Sequence, residues 1–191
     1  MRKIVMMNRI SIDGRFASSN EETFGMDWFV PDPEVDRAIR SDGEKLDTLI
    51  LGGNTYRGFE RSWTPFLRDP SAPAEMRAVA EELTAMRKIV FSRREEPLLW
   101  ENAERCRGSV PDVARRLKQE EGTSILIMGS GSIVRQLAGE GLIDEYVFIL
   151  TPIVAGEGKP LFDHAKGFGL KLIEAKAFAS GNVVLRYSLS I

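Results

Sequence analysis

Short apolar runs closed by glycine or a turn, with amphipathic stretches between them, alternate through most of the chain. Ile4 to Ile10 is a β-rich run, and the Asp13-Gly14 pair between Ile12 and Phe16 marks a turn, because glycine takes positive φ without a Cβ clash. Asp47 to Leu51, Lys88 to Phe91 and Ser124 to Met128 are short, nearly continuous apolar runs, the pattern of strands covered on both faces. Between them, helical spacing predicts helices over Glu34 to Lys45, Thr55 to Glu60, Ala74 to Met86, Pro111 to Glu120 and Ser132 to Ala138. Trp63 to Phe66 reads as a loop, and Trp100 to Arg105 as a short edge strand. After Asp144 the pattern is β alone: Tyr146 to Ile153, Leu170 to Ala179 and Val183 to Ile191, the last two joined by Ser180-Gly181-Asn182, a hairpin signal. The expected architecture is a single α/β domain over residues 1–191, a mostly parallel central sheet flanked by helices with antiparallel strands at its C-terminal end.

Composition narrows the function classes. Across 191 residues, 26 Lys+Arg stand against 28 Asp+Glu, so no basic excess is available for a nucleic acid or an acidic membrane surface. One cysteine, Cys106, cannot close an intrachain disulfide, and one histidine, His164, cannot build the usual Cys/His metal site or a Ser-His-Asp triad. His164 follows Asp163 in a polar stretch and reads as a solvated loop residue. Asn8, Arg9 and Asp13 interrupt the opening apolar patch before a signal-peptide core is complete, and no run approaches the ~20 residues that span a bilayer. The expectation is a cytoplasmic protein acting on a small molecule.

Two places share one design: Leu49-Ile50-Leu51-Gly52-Gly53-Asn54-Thr55 and Leu126-Ile127-Met128-Gly129-Ser130-Gly131-Ser132 each run from a buried strand through glycines into a helix. Such a turn either serves only to reverse the chain tightly or presents the unpaired first-turn N–H groups of the helix to an anion. Strand carboxyl ends are where open α/β sheets form their ligand crevice, and both turns occupy such ends. The familiar nucleotide fingerprints do not fit. Val134 stands where G-x-G-x-x-G needs its third glycine, and Pro160 follows Gly158-Lys159 where a P-loop needs Ser or Thr.

Six segments in order resemble the reductase family that includes the C-terminal domain of the bifunctional riboflavin-biosynthesis deaminase-reductase, which has the dihydrofolate reductase fold. Ser11 to Ala17 is similar to its S-x-D-G-x-x-A opening, Leu51 to Tyr56 to L-G-R-x-T-Y, and Lys88 to Arg93 to the strand ending in S-R. Gly129-Ser130-Gly131 is similar to the glycine pair before the last helix, Leu142 to Glu145 to L-I-D-E, and Pro152 to Phe162 to P-x-x-x-G-x-G-x-x-L-F. The resemblance implies NADPH, with NADH as an alternative, lying across Gly52, Gly53, Thr55 and the turn of Gly129, Ser130, Gly131 and Ser132. It places Ser92 and Arg93 near the adenosine 2′-phosphate, and it implies a homodimer.

Two departures stand out. The family often has Arg where this chain has Gly53, which leaves Arg57 or Arg94 to compensate, and it commonly has an acid where this chain has Met128. Asp13 read alone is either half of an Asp-Gly turn or a functional carboxylate; the family's matching acid faces substrate. Such a carboxylate would hydrogen-bond an amino-heterocycle, or donate a proton if desolvation raised its pKa from ~3.9 toward neutrality. Asp27, Trp28 and Asp32 lie in a loop rich in large apolar groups, expected to close over the same pocket. The expected activity is transfer of hydride from a nicotinamide to a C=N or similar bond of a small heterocycle. A riboflavin-pathway or folate reductase, and a non-catalytic NADPH-binding protein, stand as alternatives. Acids retained near the nicotinamide would separate an enzyme from a binding relic.

Overall fold

A computed structural model describes residues 1–40, 45–163 and 165–190, so His164 lies outside the described residues. Its strands are β1 (Ile4–Ile10), β2 (Arg15–Ala17), β3 (Leu46–Gly52), β4 (Arg87–Phe91), β5 (Ala103–Cys106), β6 (Ser124–Met128), β7 (Glu145–Leu150), β8 (Lys159–Pro160), β9 (Leu170–Ala177) and β10 (Val183–Leu189). The helices are α1 (Pro33–Arg40), α2 (Gly53–Arg68), α3 (Ala74–Ala85), α4 (Val110–Gln119) and α5 (Gly131–Gly139). Eight strands form one sheet in the order β5-β4-β3-β6-β1-β7-β10-β9. Every pairing from β5 to β7 is parallel, and β10 pairs antiparallel with both β7 and β9. None of the described helices is long and apolar enough to cross a membrane.

The two faces of the sheet build two cores, and the period-2 alternation of strand side chains assigns residues to them. Ile4 and Met6 of β1 pack with Val113 and Leu117 of α4 and Ile133 and Leu137 of α5. Val5 and Met7 pack on the opposite face with Val35 of α1, Tyr56 of α2 and Leu83 of α3. Burial on both faces is why the central strands read as continuous apolar runs.

Three elements differ from their sequence-based expectation. α2 runs on through Trp63 to Phe66 as one helix, because Pro65 falls in its last turns and its carbonyl still accepts from the Asp69 N–H at 3.1 Å. The Thr64 hydroxyl adds a donor to the Glu60 carbonyl at 2.7 Å. The edge strand starts at Ala103, because Trp100 is committed elsewhere: its N–H donates to the Tyr56 hydroxyl at 2.9 Å and its indole N–H to Thr84 Oγ1 at 2.8 Å. β7 stops at Leu150; the Thr151 N–H bonds the Ile10 carbonyl at 2.7 Å and Pro152 supplies no donor. The helix expected over Glu34 to Lys45 is described as far as Arg40, and residues 41–44 lie outside the described residues.

Candidate active site

β3 and β6 are neighbours, so their parallel register delivers both glycine turns to the same end of the sheet, side by side. The turns are bonded to each other. The Gly52 N–H donates to Ser130 Oγ at 2.7 Å, and the Ser130 hydroxyl donates to Thr55 Oγ1 at 2.9 Å. On the far side, the Gly129 N–H donates to Oδ1 of Asn8, a buried side chain of β1, at 2.8 Å.

Glycine is required here by geometry. Gly129 has φ 59°, and a Cβ on it would lie 2.8 Å from Thr55 Cγ2. Ser130 follows with φ 56°, a second left-handed residue in succession, a conformation costing a non-glycine residue roughly 1–2 kcal/mol. At Gly131 a Cβ would meet the Phe16 ring at 2.7 Å, so the missing side chain lets the segment after Asp13 lie against the start of α5.

Neither α2 nor α5 has a side-chain cap at its N-terminus. By contrast, α4 begins with Ser109 Oγ accepting from Asp112 N, and α1 with Asp32 Oδ1 accepting from Glu34 N at 2.8 Å. Two helix starts without side-chain caps, each a positive dipole end, therefore stand side by side, with the Thr55 and Ser130 hydroxyls between them. That donor set fits a pyrophosphate-bearing dinucleotide.

The three acids singled out from the sequence sit in three separate hydrogen-bond networks. Asp13 accepts from Ser11 Oγ at 2.7 Å and from the backbone N–H groups of Ala155 and Gly156 at 2.9 and 3.0 Å. These donors, the Ser11 hydroxyl foremost, hold its pKa down at about 2, with burial opposing weakly. A proton donor at neutral pH is therefore the wrong role for it. The expected upward shift needs desolvation, whereas Asp13 is exposed and well supplied with donors. Asp27 accepts from Ser18 Oγ at 2.5 Å and Thr23 Oγ1 at 2.6 Å, which lower its pKa and lock the loop onto itself. Asp32 is buried with both oxygens used, Oδ1 at the start of α1 and Oδ2 by the Ser180 hydroxyl, so it caps a helix and pins the β9–β10 hairpin. The Asp-Pro pair ahead of the helical pattern carried that capping signal.

The loop of residues 18–32 does dock as its apolar content implied. The Phe24 ring lies 3.0 Å from where a Cβ on Gly58 of α2 would be, and Trp28 packs on Phe29 at 4.8 Å between centroids. Ser92 faces the first turn: a Cβ on Gly53 would be 2.7 Å from its Oγ, so the space that the family's arginine would leave by is filled by serine. Ser92 and Arg94 line the adjoining cleft, whereas Arg93 is exposed and not part of that wall. Asn8 and Ser11 were not singled out from the sequence. A polar residue interrupting the apolar run of β1 was the available signal for Asn8.

Comparison with known proteins agrees with this geometry. The model of the family described as "RibD C-terminal domain" matches residues 2–185. The uncharacterized protein YyaP of Bacillus subtilis (strain 168) is 27% identical over 187 residues, 97% of this chain and 94% of its own length. Among solved structures, a protein of Shewanella sp. PV-4 named for riboflavin biosynthesis superposes with a TM-score of 0.71 at 22% identity, covering 99% of both chains. A dihydrofolate reductase from Enterococcus faecalis, complexed with NADP(H), superposes with a TM-score of 0.65 at 12% identity, covering 99% of this chain and 97% of that one. With a dihydrofolate reductase-like sheet and a family match across nearly its whole length, the chain belongs to the RibD C-terminal domain family.

Proposed function

We propose that the protein is an NADPH-dependent reductase of a small heterocyclic substrate carrying a C=N or similarly polarised bond. The observation that carries this reading is the pair of uncapped helix N-termini brought side by side at the ends of β3 and β6, within a chain of a reductase family. NADPH, when bound, supplies the hydride. The first-turn N–H groups of α2 and α5, with the Thr55 hydroxyl, hold its pyrophosphate, and the left-handed Gly129-Ser130 backbone keeps both helix starts aimed at the same anion. Asp13, ionised and tethered to Ala155 and Gly156, serves as a fixed acceptor for an N–H of an amino-heterocycle and orients it. The proton that completes reduction comes from water, since the acids available here are all held in their ionised forms. Retention of an acceptor at this position favours an enzyme over a binding relic.

Calorimetric titration of the folded protein with NADPH and NADH tests the cofactor assignment; absence of binding by either overturns it. Pteridines, amino-pyrimidines and cyclic imines, followed by loss of NADPH absorbance, then test the substrate class. We further propose a homodimer. Leu172 and Ile173 of the edge strand β9 are 52% and 55% exposed, and its outer backbone groups are open to pairing. Light scattering returning the 21.4 kDa of one chain at micromolar concentration would reject it.

A further inference from the structure

The Ser180-Gly181-Asn182 turn between β9 and β10 does more than reverse the chain. It closes through the Phe178 N–H on the Asn182 carbonyl and the Gly181 N–H on the Phe178 carbonyl, both at 3.0 Å. Connections at the edge of a sheet ordinarily run over the surface with their polar side chains in water, yet Asn182 has no exposed surface. Its Nδ2 donates to the Val30 carbonyl at 3.2 Å and to Ser180 Oγ at 3.0 Å, and the Ser180 hydroxyl donates to Asp32 Oδ2. Asn182 Oδ1 is buried without a partner, a cost that reversing the chain does not require. The same inward rotation of the side chain makes the bond to Val30, 152 positions earlier in the chain.

Both of these attachments fall on the loop of residues 19–32. Among the described residues, that loop otherwise hydrogen-bonds only to itself, to Ser18 at its stem and to the first turn of α1. It sets out just after Phe16, whose ring lies against Gly131 at the start of α5, and it rests on α2 through Phe24 at Gly58. The turn anchors its far end. On its other side the turn meets the segment that tethers Asp13: a Cβ on Gly181, at φ 86°, would stand 3.1 Å from Pro152, three residues before Ala155. One hairpin turn thus abuts both the loop that carries Asp27 and Trp28 and the segment that holds Asp13.

Building on the reductase reading, we infer that Ser180 and Asn182 are positioning residues: through Asp32 and the Val30 carbonyl they clasp the loop in place, and so set how tightly the substrate is held. Neither touches the cofactor turns, so the clasp acts on substrate affinity and leaves NADPH binding and the hydride step alone.

The test compares wild type, Ser180→Ala, Ser180→Thr and Asn182→Ala in the full chain, with chymotrypsin cleavage after Phe24, Trp28 and Phe29 as the readout of the loop and urea denaturation as the control for global stability. Ser180→Ala is expected to speed cleavage in the loop about tenfold, the scale of one lost hydrogen bond to a charged group, and Ser180→Thr, which keeps the hydroxyl, to restore the wild-type rate. With a compound that the wild type reduces, Ser180→Ala should raise KM about tenfold while kcat and NADPH affinity stay within about twofold. Asn182→Ala should do the same; if it does not fold, the two Ser180 variants decide. An unchanged cleavage rate in Ser180→Ala overturns the clasp. Faster cleavage with an unchanged KM, or a fall in kcat that follows the loss of global stability, overturns the positioning role. If no compound is reduced, the reductase reading falls, and the cleavage rates alone decide whether the turn holds the loop.

Discussion

The two ends of the parallel sheet use charge in opposite ways. At the amino ends of the strands, buried charged groups are matched by partners already within the protein. Lys88, with no exposed surface, donates to the carbonyls of Thr84, Met86 and Glu101 at 2.9, 2.7 and 3.0 Å and lies 4.5 Å from the centre of the Trp100 ring. Arg2 pairs with Asp47 and bonds Thr48 Oγ1 at 2.8 Å, and Lys118 pairs with Asp144, which also accepts from the Ile4 N–H at 2.8 Å. At the carboxyl ends, two helices start without side-chain caps, two successive residues are left-handed, and several arginines line the cleft beside Gly53. Satisfied polar groups make one end a staple; the other, where we propose the cofactor binds, has helix starts without side-chain caps. The family-like Leu-Ile-Asp-Glu segment belongs to the stapled end, so a motif that marks the family need not mark the chemistry.

If that division holds, variants at the two ends should affect different quantities. Lys88→Met removes the donor from three carbonyls and is expected to cost about 3 kcal/mol of stability in urea denaturation, while NADPH affinity stays at the wild-type value. Burial pulls the Lys88 ammonium from 10.5 down to about 8. Between those values the unfolded chain carries a proton that the folded chain lacks, so stability rises with pH across that window, and this slope should vanish in the variant.

Gly129→Ala sits at the opposite end. Its φ of 59° and the 2.8 Å approach to Thr55 predict a loss of about 1–2 kcal/mol in stability, together with a tenfold or larger loss of NADPH affinity. Unchanged affinity in a folded variant would show that the second turn does not hold the cofactor.

Asp13→Asn sharpens the contrast through pH. Because the native carboxylate titrates near 2, its contribution to stability is complete above the ordinary value of 3.8 and disappears as pH falls toward 2. The stability gap between variant and wild type should therefore close over that interval. With a substrate in hand, kcat/KM of the wild type should show no Asp13 titration between pH 5 and 9, and a limb that the variant abolishes in that range would restore Asp13 as the acid.

The smallest effect is expected at Gly53→Ala. No left-handed backbone is needed there, and the 2.7 Å contact is with Ser92. A loss within about 1 kcal/mol, recovered by adding Ser92→Gly, would show that serine has simply taken up the space.

Local signals set out the order of elements, the parallel-to-antiparallel change and both glycine turns, because each is written in consecutive residues: apolar runs for strands, glycine where a Cβ cannot fit, β alone after Asp144. The helix through Pro65 and the late start of β5 escaped that reading, since α2 continues past a local breaker and Trp100 leaves the strand for bonds to Tyr56 and Thr84. The roles of the acids were not written locally either. Asp13, Asp27 and Asp32 are alike in sequence, and what separates them is which distant donors reach them: Ala155 and Gly156 for the first, Ser18 and Thr23 for the second, Ser180 and the start of α1 for the third. A carboxylate's pKa and its availability to a ligand depend on those neighbours, and the neighbours are brought together only when the chain folds.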